Sequence, residues 1–171
     1  MNHELIENMF SFAEQAHRGQ TRSGGHAYIC HPVAVMLRVR DITNDAVVLA
    51  AALGHDLLED CEVTEQELRS RFGDEVTDLI VELTNDYPDQ MEFEAKLVAT
   101  REHAAKMSDN AKLIKMADRL HNLQTMASFS PGRRSRFLKN TQVLMEALKP
   151  YPAGTSDLER EIGSIIHESI E

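Results

Sequence analysis

The residues best able to do chemistry lie in "GHDLLED", 54–60. His55, Asp56, Glu59 and Asp60 are four ionisable groups at the end of an apolar run, Val47 to Leu53. At ~100° per residue they share about 140° of one face of a helix expected from about Asp45 to Leu58. Val47, Val48, Leu49, Ala50, Ala51 and Ala52 make the rest of that helix apolar or small, so it reads as buried on most sides. Burying several unpaired carboxylates is prohibitive, and a metal ion resolves the problem by supplying positive charge. Taken alone, the stretch also reads as a helix end emerging into water.

A second polar strip lies in "KLIKMADRLHNLQTM", 112–126. Asp118, His121, Asn122 and Thr125 cover about 100° of arc, with Leu113, Met116, Ala117, Leu120 and Leu123 on the other side. Lys115 and Arg119 read as surface charges. In isolation this is also an ordinary amphipathic helix with a wet face. His31 begins a further helix after a glycine-rich loop that carries Arg22.

His31, His55, Asp56 and Asp118 together form a set of two imidazoles and two carboxylates. Such a set suits Mn²⁺, Fe²⁺, Co²⁺ or Zn²⁺. An ion of this kind lowers the pKa of a bound water and makes a nucleophile near neutral pH. Glu59 and Asp60, one turn beyond, are placed to orient that water or to shuttle its proton.

The elements that must position these groups are helices. Apolar spacing predicts them over 3–17, 31–39, 45–58, 74–83, 92–107, 110–127 and 135–148. Thr64–Glu67 is a capping-box pattern opening a short helix that Gly73 stops, and Ser156–Glu159 is a second one before a last helix over 156–169. Residues 18–28, 85–90 and 128–134 read as loops or turns. Period-2 alternation is not sustained anywhere. The expectation is an all-α helical bundle of about eight to nine helices, forming one domain over residues 1–171.

The 171 residues are 42% apolar and carry a net charge of −10. That balance disfavours a nucleic-acid partner, though not a local basic pocket for a small phosphate ligand. Two basic groups are candidates for such a pocket: Arg133, Arg134, Arg136 and Lys139 in one, Lys96 and Arg101 in the other. Both also read as solvated faces. No apolar run approaches the ~20 residues that cross a bilayer, and "MNHELIENMF" is acidic rather than a signal sequence. Cys30 and Cys61 read as free thiols and bystanders in a reducing cytosol. A cytoplasmic protein without a membrane partner is expected.

Three ordered blocks carry a resemblance: "AHRGQTRSGGHAYICHPVAV", "AALGHDLLEDCEVTEQELRSRFGDEVTDLIVELT" and "AKLIKMADRLHNLQTM". Over roughly residues 5 to 145 the chain resembles the HD-superfamily hydrolase domain of RelA/SpoT proteins. It looks like a stand-alone small alarmone hydrolase similar to the metazoan SpoT homologue. The resemblance implies an HD-domain fold and removal of the 3′-pyrophosphate of ppGpp and pppGpp, a small-molecule nucleotide substrate. It also implies Mn²⁺ on His31, His55, Asp56 and Asp118, and a catalytic pair at Glu59 and Asp60. Arg22 falls where the family packs an arginine on guanine, and Asn122 and Thr125 where it lines the nucleotide pocket. Tyr28 is expected beside them. The loop departs from the family's common R-K-S-G-E-P-Y: here it is Arg22-Ser-Gly-Gly-His-Ala-Tyr28, with His26 either replacing a contact or simply exposed. Two rival readings stay open, the first of them because of this departure. One is hydrolysis of another phosphorylated nucleotide, an adenosine alarmone or the 2′-phosphate of NADPH. The other is a non-catalytic nucleotide-binding module.

Overall fold

A computed structural model describes residues 3–85, 87–88 and 90–169. They are all-α, with no strand among them; an isolated bridge between Thr21 and Ala27 closes the base of one loop. Among the described residues no helix is long and apolar enough to cross a membrane. The chain packs as two compact units, Met1–Thr84 and Asn85–Glu171.

The first unit holds α1 (His3–Ala16), α2 (Cys30–Arg40), α3 (Ala46–Gly54), α4 (Leu57–Asp60), α5 (Glu65–Phe72) and α6 (Asp74–Leu83). α3 is its centre and packs on α1, α2 and α6. Its residues from Val48 to Gly54 are all buried, as a helix that is apolar all round must be. Asp45 caps it, accepting the Val47 N–H at 2.9 Å. At its far end a side chain on Gly54 would sit 2.8 Å from Ile80 Cδ1 and 3.0 Å from Met9 Sδ. Glycine is what lets α3 approach α1 and α6 just before His55. Thr64 accepts the Glu67 N–H at 3.2 Å, as its capping-box pattern implies, and Gly73, at φ 82°, separates α5 from α6.

The helix expected over 45–58 is broken. α3 ends at Gly54, His55 and Asp56 form a turn, and α4 restarts at Leu57. The break has a local cause. The Ala52 carbonyl, which a continuous helix would give to the Asp56 amide, accepts the His55 Nδ1–H at 2.8 Å. Asp56 relaxes to φ −99°, ψ −1°. With this break the described residues form ten α-helices, where about eight to nine are expected.

The second unit holds α7 (Phe93–Ala104), α8 (Asp109–Gln124), a 3₁₀ turn (Met126–Ser128), α9 (Pro131–Ala147) and α10 (Ser156–Glu168). α7 packs on α9 and α8 on α10. Ser108 caps α8, and every residue from Ala111 to Asp118 is buried. Lys115 is therefore not the surface charge expected. Buried Lys112 donates to the Pro150 carbonyl at 3.3 Å, and the Arg119 guanidinium lies 4.8 Å from the Phe137 ring centre. α9 starts at Pro131, not near 135, because proline's fixed φ suits a first helical position. At α10 the cap is Thr155 rather than Ser156. Its hydroxyl donates to the Pro152 carbonyl at 2.8 Å, so the second capping box does not form. In the loop over 85–90, Asn85, Tyr87, Pro88 and Gln90 are non-helical; Asp86 and Asp89 lie outside the described residues.

Candidate metal centre

Within the first unit the structure gathers His31, His55, Asp56, Tyr28 and Asp60. His31 is the second residue of α2 and is buried; His55 is buried at the end of α3. Their rings meet edge to face with centres 5.1 Å apart. His31 Nε2 lies 3.5 Å from Asp56 Oδ2, and His55 Nε2 lies 3.2 Å from Asp56 Oδ1. Asp56 thus presents one oxygen to each imidazole.

Two observations test this arrangement against a metal ion. The Ala52 carbonyl can only accept, so His55 carries its proton on Nδ1. In the neutral ring Nε2 then turns a lone pair toward Asp56, the arrangement by which proteins commonly fix a metal-binding histidine. Second, the Tyr28 hydroxyl lies 2.7 Å from Asp56 Oδ2 and 2.6 Å from Asp60 Oδ2. It has one proton to donate, so one contact sets lone pairs against each other unless positive charge stands nearby. Two imidazole nitrogens and a carboxylate suit a borderline divalent ion, and the residues fit one. Burial, the Asp56 charge and bonding to both carboxylates push the Tyr28 phenol well above its ordinary pKa. It stays protonated, as a donor should.

Residues outside the sequence-derived set hold this cluster together. His17, just past α1, is buried and stacks on Tyr28 with ring centres 4.5 Å apart. Gln20 donates through Nε2 to the Asp60 carbonyl at 2.7 Å, while its Oε1 accepts from His17 Nδ1 at 2.9 Å. Cys61 Sγ lies 3.2 Å from the same nitrogen. Burial first, then the Asp60 carboxylate, pushes the Cys61 thiol up, which keeps it protonated. A signal for His17 is present in the sequence. Met9, Ala13 and His17 are spaced by four, so His17 continues the buried stripe of α1.

The remaining expected residues divide by unit. Arg22 lies with its guanidinium 5.6 Å from the Tyr28 ring centre, in a tight loop where its N–H donates to the His26 carbonyl at 2.9 Å. His26 is exposed, and so is Glu59 on α4. In the second unit, α8 carries Asp118, which is buried, and Asn122, which donates through Nδ2 to Asp118 Oδ1. Thr125 is exposed at the end of α8 and donates to the His121 carbonyl at 2.9 Å. Part of the basic cluster on α9 makes local contacts. Arg133 sits 3.9 Å from the Phe129 ring centre, Arg134 donates to the Ala127 carbonyl at 3.2 Å, and Lys139 pairs with Glu94 at 2.8 Å. Arg136 and Arg101 are exposed and Lys96 is half-buried. Cys30 and Cys61 are both free thiols.

Known proteins resemble this chain in sequence and fold. The family profile described as HD domain matches residues 10–148, a span that enters both units. A guanosine-3′,5′-bis(diphosphate) 3′-pyrophosphohydrolase of Vibrio cholerae is 32% identical over 98% of this chain and 24% of its own length. The bifunctional (p)ppGpp synthase/hydrolase SpoT of Escherichia coli K12 is 37% identical over 80% of this chain and 20% of its own length. The chain thus spans about a quarter or less of these curated relatives. Among solved structures, a metazoan ortholog of SpoT, described as hydrolysing ppGpp and acting in starvation responses, superposes with a TM-score of 0.82. It is 29% identical, over 96% of this chain and 95% of that one. By motif, fold and profile, the chain belongs to the HD domain family and is similar within it to the hydrolase domains of RelA/SpoT proteins.

Proposed function

We propose that the protein is a metal-dependent 3′-pyrophosphohydrolase of (p)ppGpp, yielding GDP or GTP and pyrophosphate, with both units acting as one catalytic domain. The observation that carries this reading is Asp56, faced on separate oxygens by His31 and His55 Nε2 and joined to Asp60 through Tyr28. The likeness to the metazoan ppGpp hydrolase over nearly the whole of both chains supports the choice of substrate.

His31, His55, Asp56 and Asp118 would hold the ion, and Mn²⁺ is our choice among borderline divalent metals. When bound, it supplies positive charge for the phosphate oxygens and acidifies a water. The chain's residues do the rest. His55 is held by Ala52 so that its Nε2 is available as a ligand. Asn122 anchors one oxygen of Asp118. Asp60, fixed by Tyr28, orients the attacking water, and exposed Glu59 takes its proton. Water adds to the phosphorus on the ribose 3′ oxygen, the bond to that oxygen breaks, and the oxygen is protonated. Arg22, Tyr28, Asn122 and Thr125 receive the nucleoside, with the Arg22 plane suited to stack on a base. The free thiols fit a reducing compartment such as the cytosol.

The test is pyrophosphate release from ppGpp by purified protein with Mn²⁺, run beside adenosine alarmones and NADPH. Release from ppGpp is expected to be fastest. NADPH turnover far above ppGpp turnover would replace the substrate. Loading of Mn²⁺ with no turnover of any nucleotide would leave a binding module.

A further inference from the structure

We infer that His17 is a positioning residue for the proposed site, acting through Gln20 and Tyr28 to set Asp60 and Asp56 in register. The inference rests on the metal-site reading but not on the identity of the nucleotide.

The Tyr28 hydroxyl reaches the carboxylates of both Asp56 and Asp60, at 2.7 and 2.6 Å. Wherever that oxygen moves, the two carboxylates must follow or lose it. What fixes the phenol is therefore what fixes them. One face of its ring is covered by the His17 imidazole, nearly parallel at 21° with centres 4.5 Å apart. His17 is only 3% exposed, so the stack is not a surface accident.

Gln20 ties the pieces into a closed circuit. Its Nε2 donates to the Asp60 carbonyl at 2.7 Å, a contact that only the amide nitrogen can make. Oε1 must then face His17, and Nδ1, at 2.9 Å, must donate to it. The backbone of Gln20 joins both neighbours as well: its N–H donates to the His17 carbonyl at 3.0 Å, and its carbonyl accepts the Tyr28 N–H at 3.1 Å. His17, Gln20, Asp60 and Tyr28 thus form a loop of contacts, each member touching two others. An imidazole is the side chain this position needs. Phenylalanine would stack on Tyr28 but could not orient Gln20, while asparagine could orient Gln20 but could not stack. The class of role is that of the groups behind metal ligands, which shape the site without entering it.

The experiment uses the full chain. Mn²⁺ affinity is measured by calorimetry without nucleotide, and kcat and KM are measured with the preferred substrate. Tyr28→Phe removes one oxygen and keeps the stack, so it is the variant least exposed to misfolding. It should weaken Mn²⁺ by about 10- to 100-fold and lower kcat by a similar factor, with a smaller change in KM. His17→Phe should lower kcat by about tenfold, and His17→Asn should recover part of that loss. The double variant Tyr28→Phe, His17→Phe should lose less than the product of the two single losses, because both act on the placement of Asp60. Wild-type Mn²⁺ affinity and kcat in Tyr28→Phe would overturn the inference. So would losses in the double variant that simply multiply. If the parent hydrolyses no nucleotide, the substrate reading fails, while the Mn²⁺ affinities still decide this one.

Discussion

The two units carry their candidate ligands in opposite styles. In the first, the candidate ligands stand where regular structure stops: His31 at the start of α2, His55 and Asp56 in the turn between α3 and α4. His55 is held by the Ala52 carbonyl, Asp56 by Tyr28 and through it by His17 and Gln20, and His31 faces Asp56. In the second, Asp118 sits in the middle of an unbroken helix, at the end of a buried run from Ala111. There the helix sets direction and packing sets depth, with Asn122 as a polar anchor for the carboxylate. A side chain at a break needs a network of its own, whereas one on a buried helix borrows precision from the core.

The contrast can be broken by mutation, beginning with the largest effect. Asp56→Ala removes the residue that both imidazoles face, so turnover should fall by well over 100-fold and calorimetric Mn²⁺ binding should disappear. Turnover within tenfold of wild type would move the site elsewhere. Asp118→Asn should also abolish most turnover, yet its packing is conserved and its thermal midpoint should stay within about 4 °C of wild type. A midpoint falling much further would show that α8 depends on that charge as well as on its core.

The next comparison is of packing. Leu120→Ala, fully buried on α8, should cost about 2–5 kcal/mol in denaturant unfolding. Gly54→Ala should cost about 1–3 kcal/mol by overpacking against Ile80 and Met9, and it should also weaken Mn²⁺, since it displaces the turn that follows. Loss of stability without any change in Mn²⁺ affinity would uncouple α3 packing from the site. The smallest effect belongs to Asp45→Ala, which removes the cap of α3 far from His55. It should lower stability by about 0.5–2 kcal/mol and leave Mn²⁺ affinity as it is.

Helix periodicity made most of the fold legible. α6 and α8 follow from apolar spacing, and Thr64 and Gly73 bound α5 as their residue types imply. The ligand candidates were legible too, because carboxylates and imidazoles inside apolar helices violate the pattern around them. What escaped depended on competition for single atoms. Whether residues 45–58 form one helix turns on which group takes the Ala52 carbonyl, and a side chain does. Ser156 looks like a cap until Thr155 occupies that place. His17 and Gln20 carry little signal of their role because they stand at the border of a helix and a glycine-rich loop. Their partners lie forty residues on, at Asp60 and Cys61, beyond the reach of local pattern.

The His55 to Ala52 contact also bears on how an ion would load. Since the backbone itself turns the ring, capture freezes few rotamers that the fold had left loose. The helical circular dichroism should be the same before and after loading. Uptake would then be paced by how readily the ion sheds its own water, with Mg²⁺, which dehydrates reluctantly, entering behind Mn²⁺.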